Sequence, residues 1–231
     1  MLQAHDTRTE ASRRREALEQ MLCGYRFRVC ETSADVDRAL AVRRRVYVEE
    51  LGFAFPIPDA YDHRSVLLLA ENATTGEAIG TMRILPRSAG PLELEEHFEL
   101  PSECRASDSV EIGRFAILSE YRGTAVMAGL LKLMVLCLQR METRWLMAGA
   151  PQARIQTYSW LCMTSMGVTA RYDGVEHEIT LMACDFPEAA RTMAESHPLR
   201  DFLLEMDSPE IELGARVGTM LRNWKGVKLA S

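Results

Sequence analysis

The stretch Val110-Glu111-Ile112-Gly113-Arg114-Phe115-Ala116-Ile117 places a carboxylate and a guanidinium three residues apart inside an apolar run. The run is rich in β-branched residues and phenylalanine, which predicts a buried strand. An unpaired charge in such a place costs several kcal/mol, so Glu111 and Arg114 need a reason to be there. One reason is a structural ion pair that locks two sheet elements. The other is proton transfer, because burial raises a carboxyl pKa toward the range useful to a general base. Strict alternation puts Glu111, Gly113 and Phe115 on one face and Ile112, Arg114 and Ala116 on the other. A bulge at Gly113 would bring both charged groups toward one cleft.

The elements that must position this strand follow from the hydrophobic pattern. Residues 8–22 read as a charged amphipathic helix with Arg13-Arg14-Arg15 on its solvated side. Residues 25–31 alternate as a first strand. Ser33 is expected as an N-cap with Asp35 in the first turn, and a helix then runs to about Glu50, with Gly52 just past its end. Pro56 and Pro58 make residues 53–61 a loop. Residues 65–70 and 77–85 form a hairpin about the turn 72–76, and 86–108 is irregular. After the strand at 109–118 come a long apolar helix (123–142), a short strand (145–148), a helix (152–165) and strands at 170–172 and 178–184. Residues 187–231 add helices broken near Pro198 and Pro209. The fold class is α/β: a single domain with a mixed central sheet flanked by helices and with extra C-terminal helices. Its parts are an N-terminal helix over 1–24, a main domain over 25–186 and a helical extension over 187–231 packed on the same domain.

The composition narrows the function. With 231 residues and 47% hydrophobic content the chain can bury a substantial core. A net charge of −6 excludes a strong basic field, so no nucleic-acid partner is expected, while a local basic patch for an acidic protein stays open. No apolar stretch approaches the roughly 20 residues of a transmembrane span, and the N-terminus carries no signal-peptide core. Cys23, Cys30, Cys104, Cys137, Cys162 and Cys184 are scattered without metal-ligand spacing and read as reduced thiols of a cytoplasmic protein. The five histidines show no ligand spacing either, so no metal is expected. Met127, Met134 and Met141 recur at seven-residue spacing and read as core filling on one helix.

Four motifs in order then resemble a known family. Arg43-Arg44-Arg45-Val46-Tyr47-Val48-Glu49-Glu50-Leu51-Gly52-Phe53 is similar to an Arg-x-x-Val-Phe-x-x-x-Leu-Gly-Trp pattern. Asp59-Ala60-Tyr61-Asp62 matches Asp-x-x-Asp. Gly80-Thr81-Met82-Arg83-Ile84-Leu85 resembles a strand that carries a third arginine. Glu111-Ile112-Gly113-Arg114-Phe115 resembles Glu-x-Ser-Arg-Phe. Together these resemble the GNAT-type acyltransferases, and more narrowly the acyl-homoserine-lactone synthases and long-chain N-acyl amino acid synthases. Phe53 in place of Trp, Gly113 in place of Ser and the short loop before Asp59 lean toward the second branch.

The resemblance implies N-acylation of an amine by a thioester. Glu111 would take the amine proton, and an amide at or beside Gly113 would face the oxyanion. Arg43, Tyr47, Phe53, Asp59, Asp62, Arg83 and Arg114 would form a substrate-binding and structural network, one arginine of which can grip the carboxylate of an amino-acid acceptor. Apart from that network, Asp59 and Asp62 also read as an Asx-turn pair, and Arg43 as part of a solvated helix face. Arg122, Gly123 and Thr124 fall where a pyrophosphate loop would precede a helix, but keep only part of its pattern. A single phosphate on the phosphopantetheine arm of acyl carrier protein fits them better than coenzyme A, and Arg122, Lys132 and Arg140 would then form a docking patch for the acidic carrier. The expected donor is therefore acyl-phosphopantetheine, with no permanently bound cofactor and a small amine as acceptor. The alternatives are a lactone synthase using S-adenosylmethionine, a non-catalytic acyl-binding module and a small-acyl coenzyme A acetyltransferase.

Overall fold

Two strands that are apolar along most of their length set the middle of the molecule. β2 (Val66–Asn72) and β3 (Ala78–Pro86) are buried at nearly every position, which requires cover on both faces of the sheet. The structure, a computed structural model, describes residues 16–17, 20–54, 56–172, 175, 177–197, 199–204 and 210–213. On one face, α1 (Ser33–Arg43) sets Val36, Ala39 and Leu40 against Leu67 and Leu69. On the other, α2 (Val126–Arg140) is buried from Gly129 to Leu138 and shares a core with Phe27, Leu68 and Ala70.

The eight strands lie in the order β6-β7-β5-β4-β3-β2-β1-β8. The remaining members are β1 (Tyr25–Val29), β4 (Ser109–Ile117), β5 (Trp145–Pro151), β6 (Thr164–Arg171), β7 (Glu178–Asp185) and β8 (Ile211–Glu212). Pairing is antiparallel except between β4 and β5 and between β1 and β8. The mixed α/β sheet flanked by helices is the expected class.

Two local features of β4 position the site. It pairs with β5 only from Ser109–Trp145 to Glu111–Met147, and past Glu111 the two parallel strands no longer bond to each other. On its other edge Thr81 faces Ala116 while Arg83 faces Gly113, so Met82 is opposed by both Arg114 and Phe115. This is a bulge, one residue later than expected. The left-handed conformation falls on Arg114, at φ +52°, not on Gly113. Such a conformation costs a non-glycine residue roughly 1–2 kcal/mol, and the ion pairs of Arg114 described below oppose that strain.

Several expectations need correction. Thr32, not Ser33, caps α1: its hydroxyl accepts from the Asp35 amide while Asp35 accepts from the Thr32 amide. The helix expected to reach Glu50 changes after Arg43 to π-helical turns over Arg44–Glu50. The helix expected over 152–165 is only α3 (Ile155–Trp160), and β6 follows as a largely exposed edge strand. Of the methionine stripe, Met134 is core whereas Met127 is 43% exposed. After α4 (Phe186–Ser196) and α5 (Arg200–Leu204), the chain adds β8 beside β1, so the C-terminal extension is not purely helical. Arg13-Arg14-Arg15 and most of the N-terminal helix lie outside the described residues, as do Pro198 and Pro209.

Candidate active site

One helix arginine and two strand arginines converge on two loop aspartates. Arg43, at the end of α1, is fully buried and donates to Asp62 at 2.5 Å and to Asp59 at 3.1 Å. That position overturns the solvated-face reading. Arg83 on β3 donates to both oxygens of Asp59 at 2.8 Å and also pairs with Glu93. Arg114 donates through Nε to Asp59 at 2.9 Å and through a terminal nitrogen to Glu93 at 2.5 Å. The bulge has thus brought Arg114 to the Glu111 face. Asp59 and Asp62 also serve the loop itself, since Asp62 accepts from the Asp59 amide and Asp59 from the Tyr61 amide. Network and Asx-turn readings therefore hold at once.

Glu93 is the member that sequence reasoning missed. It lies in a 3-10 turn (Glu93–Glu96) and bridges Arg83 and Arg114. Its signal was a charge between Leu92 and Leu94, both fully buried. With Glu93 counted, three guanidiniums face three carboxylates, and the cluster is neutral without Glu111. Burial raises the Asp59 carboxyl, but Arg83, Arg114 and Arg43 outweigh it and hold Asp59 at about 2. Glu93 is likewise pulled below its ordinary value against burial by Arg83 and Arg114.

Glu111 stands apart. Its side chain accepts from the Leu94 amide at 3.0 Å, and Arg83 approaches no closer than 3.9 Å. Burial pushes its pKa up to about 7; Arg83 opposes the rise and Glu93 adds to it. A carboxyl with that pKa exchanges protons readily at neutral pH. It sits at the last paired position of β4 and β5, where the strands part, and the half-buried Gly113–Phe115 segment lies beside it. Space above Gly113 is open: a Cβ there would meet no atom within 4 Å.

Tyr47, on the π-helical turn, reaches across to donate to the Phe115 carbonyl at 2.9 Å, and its ring stacks on Phe53 at 6.0 Å. It therefore braces the bulge. Tyr158 on α3 is held protonated, with burial lifting its pKa to about 12.

The loop before α2 is separate from this cluster. Gly123 has φ +76°, and Thr124 turns its hydroxyl back to the Tyr121 carbonyl at 2.7 Å. Arg122 donates to the Ile117 carbonyl at 2.9 Å and pairs with Glu50. The expected basic patch does not form. Lys132 is buried, its ammonium 4.5 Å from the centre of the Phe202 ring, and Arg140 lies at the far end of α2, roughly 20 Å along the axis.

Residues 42–132, which contain this cluster and the loop, match the acetyltransferase (GNAT) domain family. Over those residues the chain is similar to a GNAT acyltransferase domain. No curated protein matches the chain by sequence. Solved structures with the same fold include FeeM, an N-acyl amino acid synthase from uncultured soil microbes, at TM-score 0.64 and 18% identity over 79% of this chain and 98% of that one. BjaI, a CoA-dependent acyl-homoserine lactone synthase solved with SAM and isopentyl-CoA, gives 0.63 and 16% over 87% and 99%. TofI, in a ternary complex with an inhibitor and MTA, gives 0.54 and 24% over 70% and 91%. A GNAT-like fold is thus the scaffold on which the buried cluster is built. Among the described residues no helix is long and apolar enough to cross a membrane.

Proposed function

We propose that this protein is an N-acyltransferase that moves a medium or long acyl chain from the thioester of acyl carrier protein to the amine of an amino acid. The observation that carries the reading is Glu111: a buried carboxyl with a pKa of about 7, set where β4 and β5 part. In the reaction the amine nitrogen bonds to the thioester carbon and its proton passes to Glu111. The C–S bond then breaks, and Glu111 returns the proton to the departing thiolate, so no acyl-enzyme is needed. The Asp59/Arg83/Arg114/Glu93 cluster holds β3, β4 and the loops in register beneath the site. The carrier-protein donor is supported by the loop before α2, where Arg122 is committed to Glu50 and Ile117 and the remaining groups suit one phosphate better than two.

Lipid extracts from cells expressing the chain are expected to contain an N-acyl amino acid, whose mass gives head group and chain length. Release of methylthioadenosine from S-adenosylmethionine would replace the amino acid with a lactone product. Purified protein should show kcat rising about tenfold per pH unit at low pH and levelling above about pH 7, as Glu111 loses its proton. A profile that tracks only the acceptor's own amine would remove Glu111 from the role of base.

A further inference from the structure

Tyr172 follows β6, the edge strand, yet its side chain reaches inward over β5. The ring stacks on His97 at 3.8 Å and packs at 6.3 Å against Phe98, which fixes its direction. Its hydroxyl lies against Gly149: a Cβ on that residue would come within 2.9 Å of the oxygen and equally close to Ile179. Glycine at 149 is what lets the hydroxyl settle onto the strand. Glu111 pairs with Met147, two residues before Gly149, so Glu111 and Tyr172 stand over the same face on opposite sides of the parting strands.

The hydroxyl is buried and has no hydrogen-bond partner. A polar group left so costs about 1–3 kcal/mol unless something fills the gap. Burial, joined by Glu111 as the strongest charge acting on it, lifts the phenol well above its usual pKa, so Tyr172 stays protonated. Yet no hydrogen bond joins the two: the Glu111 side chain takes only the Leu94 amide. Two polar groups over one face of the sheet, each with hydrogen-bonding capacity to spare, can be bridged by a small group able to bond both. An amine fits, because it donates to the carboxylate and to the phenol oxygen together.

We propose that Tyr172 is a second ligand of the acceptor amine, with the nitrogen seated between the Glu111 carboxylate and the Tyr172 hydroxyl. This rests on the N-acyltransferase reading above and names how that site holds its nucleophile. Two bonds to the nitrogen would fix its lone pair toward the thioester carbon, a matter of orientation and not of proton transfer.

Tyr172→Phe keeps the stacked ring and removes the orphaned oxygen, so the variant should melt at or above the wild-type temperature. With palmitoyl thioester of acyl carrier protein and the standard L-amino acids as acceptors, the KM for the acceptor is expected to rise about tenfold, the worth of one such bond. The KM for the donor and the pH at which the rate levels should stay unchanged. Gly149→Ala, which pushes the hydroxyl away, should raise the acceptor KM in the same direction. An unchanged acceptor KM in Tyr172→Phe, or an equal rise in both KM values, overturns the proposal. A wild-type protein that acylates none of these amines overturns instead the reading on which it rests.

Discussion

Glu111→Gln is expected to reduce acyl transfer by 10²–10⁴-fold, the usual worth of a positioned general base, while the protein stays folded. Gln keeps the shape and can still accept from the Leu94 amide, but it cannot take a proton. The same substitution has a stability signature of its own. The folded-state pKa of about 7 lies above the ordinary glutamate value of 4.5, so the folded protein binds the proton more tightly than the unfolded chain. Stability therefore falls as pH rises from about 4.5 to about 7, and the loss stays in place above that range. It amounts to roughly 3 kcal/mol at most. The variant should lose this slope and gain on wild type at pH 8, by urea denaturation across that range. Full transfer activity in the variant would end the assignment of Glu111 as base; equal pH slopes in the two proteins would end the claim of a raised pKa.

Arg83→Met is expected to cost about 3–5 kcal/mol, because it removes one cation and strands two buried carboxylates. Arg83 is 1% exposed and pairs with both Asp59 and Glu93. Methionine fills the volume but leaves Asp59 with Arg43 and Arg114 alone, and Glu93 with Arg114 alone. Arg83→Lys should fall between, since one ammonium cannot span both partners as the planar fork does. Arg114→Met, at the partly exposed edge of the cluster, should cost less. Chemical denaturation of the three variants checks the order, and an Arg83→Met loss below about 1 kcal/mol would mean that the cluster adds little to the fold.

The parts of this site that the sequence exposed are those where a charge interrupts a regular period. Arg83 and Glu111 sit in strands whose neighbours are apolar, so each announced itself. Arg43 was visible only by motif, because Arg44 and Arg45 beside it read equally well as a solvated face. Glu93 was hidden because residues 86–108 fold as short turns with no period to violate. Thr32 and Ser33 are adjacent hydroxyls, and only the reciprocal bond to Asp35 chooses between them. Lys132 was misplaced by residue type: on a helix buried all round, its stem packs like an aliphatic chain and its ammonium lies over Phe202. β6 was expected only at 170–172, and its first two residues were given to the preceding helix, because an exposed edge strand shows little alternation. Tyr172 carried no signal at all, since its reach to Gly149 depends on a contact between strands that are not neighbours in sequence.

The neutrality of the buried cluster bears on how salt should act. Mobile ions screen exposed charges over about 8–10 Å but reach buried pairs far less. Arg43, Arg83, Asp59, Asp62 and Glu93 are each screened already by one another and shut away from solvent. Sodium chloride should therefore leave the chemical step untouched while weakening any encounter that runs through exposed groups such as Arg122 or Arg45. Ionic strength becomes a tool that separates the two halves of the turnover: the approach of a charged donor, and the reaction once it has arrived.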